Sequence, residues 1–226
     1  MLFRSLVDAA AIAPDAAPAT RLAIVPREGA AQSELRIGQL TTRRDTPDYP
    51  ALLVLNAVLG GQFVSRVMLK LREEKAFTYG ARTGFDWRRG IAPFVLQTSV
   101  QTRSTAEAIA DALAEVAAIR EAKPPTSEEM LLARASLTRG YPRNFETAQQ
   151  VARSVAQLAL YDLPDSYFED FIPRVNAVST EAALAAARRY LRPDQLTILI
   201  VGDHAAVGDS LTQLGLGPPQ VLAADQ

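Results

Sequence analysis

The sequence predicts an α+β fold: an antiparallel-dominated sheet with helices packed on one face. Three observations carry that expectation. Apolar or alternating runs of strand length stand at 22–26, 33–40 and 195–203. Two further runs, 79–89 and 92–101, read as an antiparallel hairpin divided by Gly90 and Ile91. From Ser104 onward four or five helical segments follow one another, which segregates helices from strands as α+β folds do.

LAIVP (22–26) and SELRIGQL (33–40) read as strands joined by a turn at REGAAQ. TPDYP offers helix-start chemistry, and ALLVLNAVLGG (51–61) is a helix halted by two glycines that tolerate the angles of a sharp exit. QFVSRVMLKLREE restarts a helix with Phe63, Val67 and Leu71 stacked at four-residue spacing and anchoring it, and Ser65 as a small packing residue. In the second hairpin strand Phe94, Leu96, Thr98 and Val100 share one face.

The helix after Ser104 carries Ile109, Leu113, Val116 and Ala117 on its apolar stripe and opens with STAE, read as a capping box. KPP ends it, and TSEE is a second capping box. ETAQQVARSVAQLALYDL, PDSYFEDFIPRVNAV and STEAALAAARRYL continue the series. QLTILIVGD (195–203) is apolar without alternation, the pattern of a strand buried on both faces. A short helix and a Pro-rich tail remain. With no internal repeat, the expected organisation is an N-terminal helix remnant and linker over 1–20, a single domain over 21–215 and a tail over 216–226.

Composition excludes several function classes. With 226 residues, 48% of them hydrophobic, the chain can bury a continuous core, and a net charge of -1 leaves no electrostatic footprint for nucleic acid. No apolar run approaches the roughly 20 residues that cross a bilayer, so the reading is a soluble chain without a membrane partner. Cytoplasm and periplasm are equally compatible. The first residues, MLFRSLVDAAAIAPDAAPAT, carry an A-P-A resembling a cleavage site, but the apolar stretch is short and broken by Asp8; a helix end and an Ala/Pro linker fit better. Cysteine is absent and His204 is the single histidine, which removes thiolate chemistry and the paired imidazoles of H-x-x-E-H or H-E-x-x-H.

Among the remaining candidates, His204 after VGD reads as a turn or cap residue. The adjacent pairs Glu73–Glu74 and Glu128–Glu129 read as solvated helix faces, and WRR (87–89) as a hairpin tip with solvated charge. No phosphate loop or serine elbow is present. Arg72 and Tyr79 in LREEKAFTYG lie either side of a helix-to-strand break. On their own chemistry they suit an ordinary exit, an arginine at a helix C-terminus and a tyrosine at a strand start, as well as two donors meeting one ligand.

The stretch LNAVLGGQFVSRVMLKLREEKAFTYGARTGF resembles the C-terminal, non-zinc-binding domain of the M16 metallopeptidases, the pitrilysin/insulinase and mitochondrial-processing-peptidase family. Its LGG, SR, LRE and TYG elements stand in the family order. The resemblance extends through AAQSELRIG, PDYPAL, the hairpin and YLRPDQLTILIVGD, covering roughly residues 20–203.

The resemblance implies an antiparallel-dominated mixed sheet with helices on one face, and a peptidase in which two such halves enclose a chamber. One half carries zinc on H-x-x-E-H; the other supplies an arginine and a tyrosine that hold the substrate backbone, here matched by Arg72 and Tyr79. The implied function is therefore the non-catalytic half of a zinc metallopeptidase, inactive alone, with no catalytic or metal-ligating residue of its own. Its partners would be a zinc-bearing M16 domain or subunit and an unfolded peptide. The alternative is a proteolytically inactive structural homologue acting in assembly, and a carboxylate-only enzyme ranks behind both. Family members begin the domain with a strand and a full helix. MLFRSLVDAAA resembles only the end of that helix, so the first strand is expected to be missing, with an exposed sheet edge open to homodimer pairing.

Overall fold

The structure is a computed structural model and describes residues 20–223. The N-terminal remnant expected at 1–20 thus lies, except for Thr20, outside the described residues. Six strands form one mixed sheet: β1 (Arg21–Pro26), β2 (Gln32–Thr42), β3 (Ala81–Phe85), β4 (Ala92–Gln101), β5 (Thr197–Gly202) and β6 (Gln220–Val221), in the order β3-β4-β2-β5-β1-β6. The pairs β3/β4, β4/β2 and β2/β5 are antiparallel, and β1/β5 and β1/β6 are parallel.

Although β1 and β2 are joined by a tight turn through Gly29, at φ 68, they are not neighbours. β5 inserts between them, with Ile200 opposite Ile24 on one side and Leu35 on the other. The helices are α1 (Tyr49–Leu59), α2 (Arg66–Met68, continued by a π-helical turn over Leu69–Glu74), α3 (Thr105–Ala118), α4 (Ser127–Arg139), α5 (Ala148–Tyr161), α6 (Tyr167–Asn176), α7 (Thr180–Tyr190) and α8 (His204–Thr212).

The strand pattern explains why helices cover one face. Leu35 and Ile37 of β2, Phe94 and Leu96 of β4 and Ile198 and Ile200 of β5 are buried, whereas Glu34 and Arg36 point the other way into solvent. The buried set packs in one cluster with Leu52, Leu55 and Leu59 of α1, Ile109 and Val116 of α3 and Ala183 and Ala187 of α7. Each such Leu or Ile contributes about 1.5–3 kcal/mol on burial.

Four expectations are corrected. β5 is not buried on both faces: Ile198 and Ile200 are covered but Leu199 and Val201 are only half-buried, because the helical layer lies on one side. The STAE capping box does not form. Ser104 makes no side-chain cap bond and Glu107 reaches instead to Lys75, 2.8 Å away. The stripe of α3 runs through Ala108, Ile109, Ala112 and Val116, leaving Ala117 exposed. The tail contributes a strand, β6, whose Gln220 and Val221 lie along β1.

The TSEE box is present: Thr126 accepts from the Glu129 N–H and Glu129 from the Thr126 N–H. Both ends of the sheet are short or partly occupied. β6 has two residues, and at the other end the outer N–H of Thr83 already donates to Gly60, 3.0 Å away.

That last contact corrects the reason for a glycine. Gly60 sits at φ −164, an extended conformation open to any residue. Its hydrogen is required because a Cβ there would stand 2.7 Å from the Thr83 backbone nitrogen. Gly60→Ala should therefore destabilise the protein by about 1–3 kcal/mol, as overpacking against rigid backbone does. A urea titration with an unchanged slope and a lower midpoint would register it.

Candidate functional site

The segment between α1 and β3 carries the candidate residues, and its two ends are tied together. Asn56 accepts the N–H groups of Gly60 and Gly61 at 2.9 and 2.7 Å through its backbone oxygen, while its side-chain oxygen accepts the Thr83 hydroxyl at 2.8 Å. The chain then turns, and Ser65 stands at the cap of α2. Phe63 lies before the helix, 60% exposed, so only Val67 and Leu71 anchor it, both fully buried. The expected three-residue stack fails because the glycine turn breaks helical phase ahead of Phe63.

From Leu69 the helix widens into a π turn, in which the Lys75 N–H reaches Lys70 five residues back at 3.2 Å. Such turns are rare and recur at functional sites because the extra residue re-aims side chains. Ala76 leaves it at φ 53, in the left-handed region, and the Phe77 N–H closes the exit on the Leu71 oxygen at 2.9 Å. Two buried hydroxyls fix the bend from Thr78 to Gly80: Thr98 donates to Thr78 Oγ1, Thr78 donates to the Gly80 oxygen, and the Gly80 N–H donates to Thr78 Oγ1. Tyr79 is the apex of that bend, its side chain 91% exposed.

Arg72 and Tyr79 line one cleft of about 360 Å³, with Gln32, Glu73, Phe77, Thr78 and Gln101. The guanidinium of Arg72 lies 4.6 Å from the Phe63 ring centroid, and its Nε is 3.4 Å from Glu73. The cleft holds a cation, a phenol, the amides of Gln32 and Gln101 and, beside the guanidinium, the Glu73 carboxylate; the cation, phenol and amides can each donate hydrogen bonds to one carbonyl-rich ligand. On the open sheet face a second depression of about 350 Å³ begins at Gly80 and runs over Arg82, Gln97, Arg36 and Glu34.

Sequence reasoning missed the clamp beside this cleft. Arg66 makes a two-pronged pair with Glu129, Nε to Oε1 at 2.6 Å and Nη2 to Oε2 at 2.7 Å, and also donates to the Lys123 and Pro124 carbonyl oxygens. Glu129 is therefore not a solvated face residue. Only the TSEE box hinted at its engagement; its partner lies far away in the chain. Trp87 also departs from the expected tip, stacking on Phe85 at 5.0 Å with Tyr49 edge-on at 4.8 Å, whereas Arg88 pairs with Asp86 at the exposed end. His204 is the first residue of α8, behind Asp203, whose side chain accepts the Ala206 N–H. Among the described residues no group of three His, Asp or Glu side chains could hold a metal ion.

Ala76→Gly should raise stability by up to about 1 kcal/mol by removing the left-handed penalty, read as a higher denaturation midpoint. Burial pushes the Glu129 carboxyl up, but bonds from Arg66 and Thr126 outweigh it and hold the group below the usual carboxylate range. A depressed folded pKa stabilises above the ordinary value of about 4.3, and that contribution disappears as pH falls through the folded value. Glu129→Gln should thus lower stability at neutral pH and flatten the acid limb of a stability–pH curve.

Residues 10–137 match the family model described as the peptidase M16 inactive domain. Among solved structures, the peptidase M16 inactive domain from Pseudomonas fluorescens superposes with a TM-score of 0.76 at 26% identity, over 82% of this chain and 44% of that one. A conserved protein from Enterococcus faecalis V583 gives 0.70 at 22% identity, over 84% of this chain and 43% of that one. A protease from Helicobacter pylori gives 0.70 at 16%, over 82% and 45%. The last two likenesses concern the fold alone, and this chain spans less than half the length of each of the three. No curated protein matches it. With more than half its residues matched by the family model, the chain belongs to the peptidase M16 inactive-domain family.

Proposed function

We propose that the chain is the non-catalytic half of a zinc metallopeptidase, gripping an unfolded peptide opposite a zinc-bearing companion domain or subunit. The observation that carries this reading is the shared cleft of Arg72 and Tyr79. A guanidinium and a phenolic hydroxyl both donate to a peptide carbonyl, whose oxygen gains negative charge when water attacks its carbon. Phe63 lies against the guanidinium and the Thr78–Thr98 hydroxyls fix the turn that carries Tyr79, so the backbone presenting both donors is set before a peptide arrives. The open depression beyond Gly80 gives an extended backbone room to continue across the sheet. Zinc, held by the companion, supplies the activated water; no residue here is assigned to it.

A second reading, an assembly subunit without proteolysis, is favoured by α5. Val151 and Val155 are exposed on its outer side while Gln150, Arg153 and Gln157 line a cleft on its inner side, an orientation suited to docking another polypeptide.

One experiment separates them. Reconstituted with a companion carrying H-x-x-E-H, the complex should hydrolyse peptides, and Arg72→Ala or Tyr79→Phe should each lower kcat by about 10²-fold with smaller changes in KM. A stable complex that hydrolyses no peptide would favour assembly, and turnover untouched by either substitution would remove the assigned roles.

A further inference from the structure

On the helical side of the molecule, far in kind from the peptide cleft, lies a second cleft of about 420 Å³ enclosed by α1, the turn Tyr141–Phe145, α5 and α6. Its wall is aromatic. Tyr141 stacks on Phe171 with ring centroids 4.0 Å apart and planes within 8°, and Phe145 meets both Tyr141 and Phe168 edge-on. Tyr49 and Tyr167 complete the lining on the side toward the core.

The electrostatics of this cleft are one-sided. Behind Tyr49 and Tyr167 lies Arg44, only 5% exposed, its guanidinium 3.3 Å from the Tyr49 ring centroid and donating to the Tyr167 hydroxyl at 2.5 Å. No described carboxylate forms an ion pair with it, and a buried cation without a counter-ion leaves a positive field that neighbouring rings only partly offset. Arg153 adds a second cation at the lining, whereas no Asp or Glu lines the cleft at all, in a chain whose acidic residues outnumber its basic ones, 25 to 24.

One donor is left over. The Tyr141 hydroxyl is shut away from water and has no hydrogen-bond partner among the described residues. A buried hydroxyl without a partner costs free energy that a ligand acceptor would recover. Burial pushes the Tyr141 phenol up to about 12 and that of Tyr49 higher still, so both stay protonated and able to donate at neutral pH.

We propose that this cleft binds an aromatic carboxylate, its ring packed against Tyr141, Phe145 and Phe171 and its anionic oxygens accepting from the exposed Arg153 and from the Tyr141 hydroxyl, which turns out of its closed position to meet them. The ring matches the aromatic wall and the anion answers the uncompensated charge; an apolar ligand would use only the first, a small anion only the second.

Calorimetric titration of the intact chain with benzoate, benzyl alcohol and acetate tests this. Benzoate should bind saturably, with the uncharged arene and the ringless carboxylate each at least about tenfold weaker. Tyr141→Phe keeps the stack and removes a hydroxyl that satisfies nothing in the chain, so it should leave the thermal midpoint unchanged or raised while weakening benzoate about tenfold; Arg153→Gln should weaken benzoate likewise without lowering the midpoint. Absence of saturable heat with benzoate overturns the site. So does benzyl alcohol or acetate binding as tightly as benzoate, or benzoate binding that neither substitution weakens.

Discussion

The cleft of Arg72 and Tyr79 hangs from the contact between Gly60 and Thr83. There the end of α1 touches the middle of β3 so closely that no side chain fits between them, and the backbone bond from Thr83 to Gly60 joins the two. The contact closes a loop that contains α2, the π turn, Ala76 and the Thr78–Gly80 apex. Because both ends are pinned to buried elements, strain inside the loop, a π turn and a left-handed alanine, can persist where a free segment would relax. The cleft shared by Arg72 and Tyr79 is the product of that closure.

Much of this was readable from spacing, and the failures have physical causes. The alternation of Phe94, Leu96, Thr98 and Val100 identifies the covered face of β4, since a strand places every second residue on one side. TSEE locates the start of α4 because capping chemistry is local. STAE looks equally good, but Glu107 is drawn to Lys75 on another element, and such competition leaves no trace in a local motif. The position of β5 between β1 and β2 is likewise a non-local choice.

The candidate site divides in the same way. The family likeness singles out Arg72 and Tyr79 as a pair, and the cleft they line together could not be read from spacing. The π turn leaves the four-residue spacing of Val67 and Leu71 intact, so periodicity cannot report it, and the left-handed exit falls on Ala76 where glycine would have announced it. Phe63, read as core by that same spacing, instead supports the guanidinium from the solvent side. Arg66 and Glu129, 63 residues apart, had no signal of their own.

The exposure of Tyr79 has a dielectric consequence. A phenol almost wholly surrounded by water spends its hydrogen-bonding capacity on solvent, and any field it adds at a neighbouring atom is damped by a medium of permittivity about 80. The same group facing a wall that excludes water acts through a permittivity several times lower. The apex that this chain builds is thus an electrode left uncovered, whose strength would rise beneath any surface that shut water out from it.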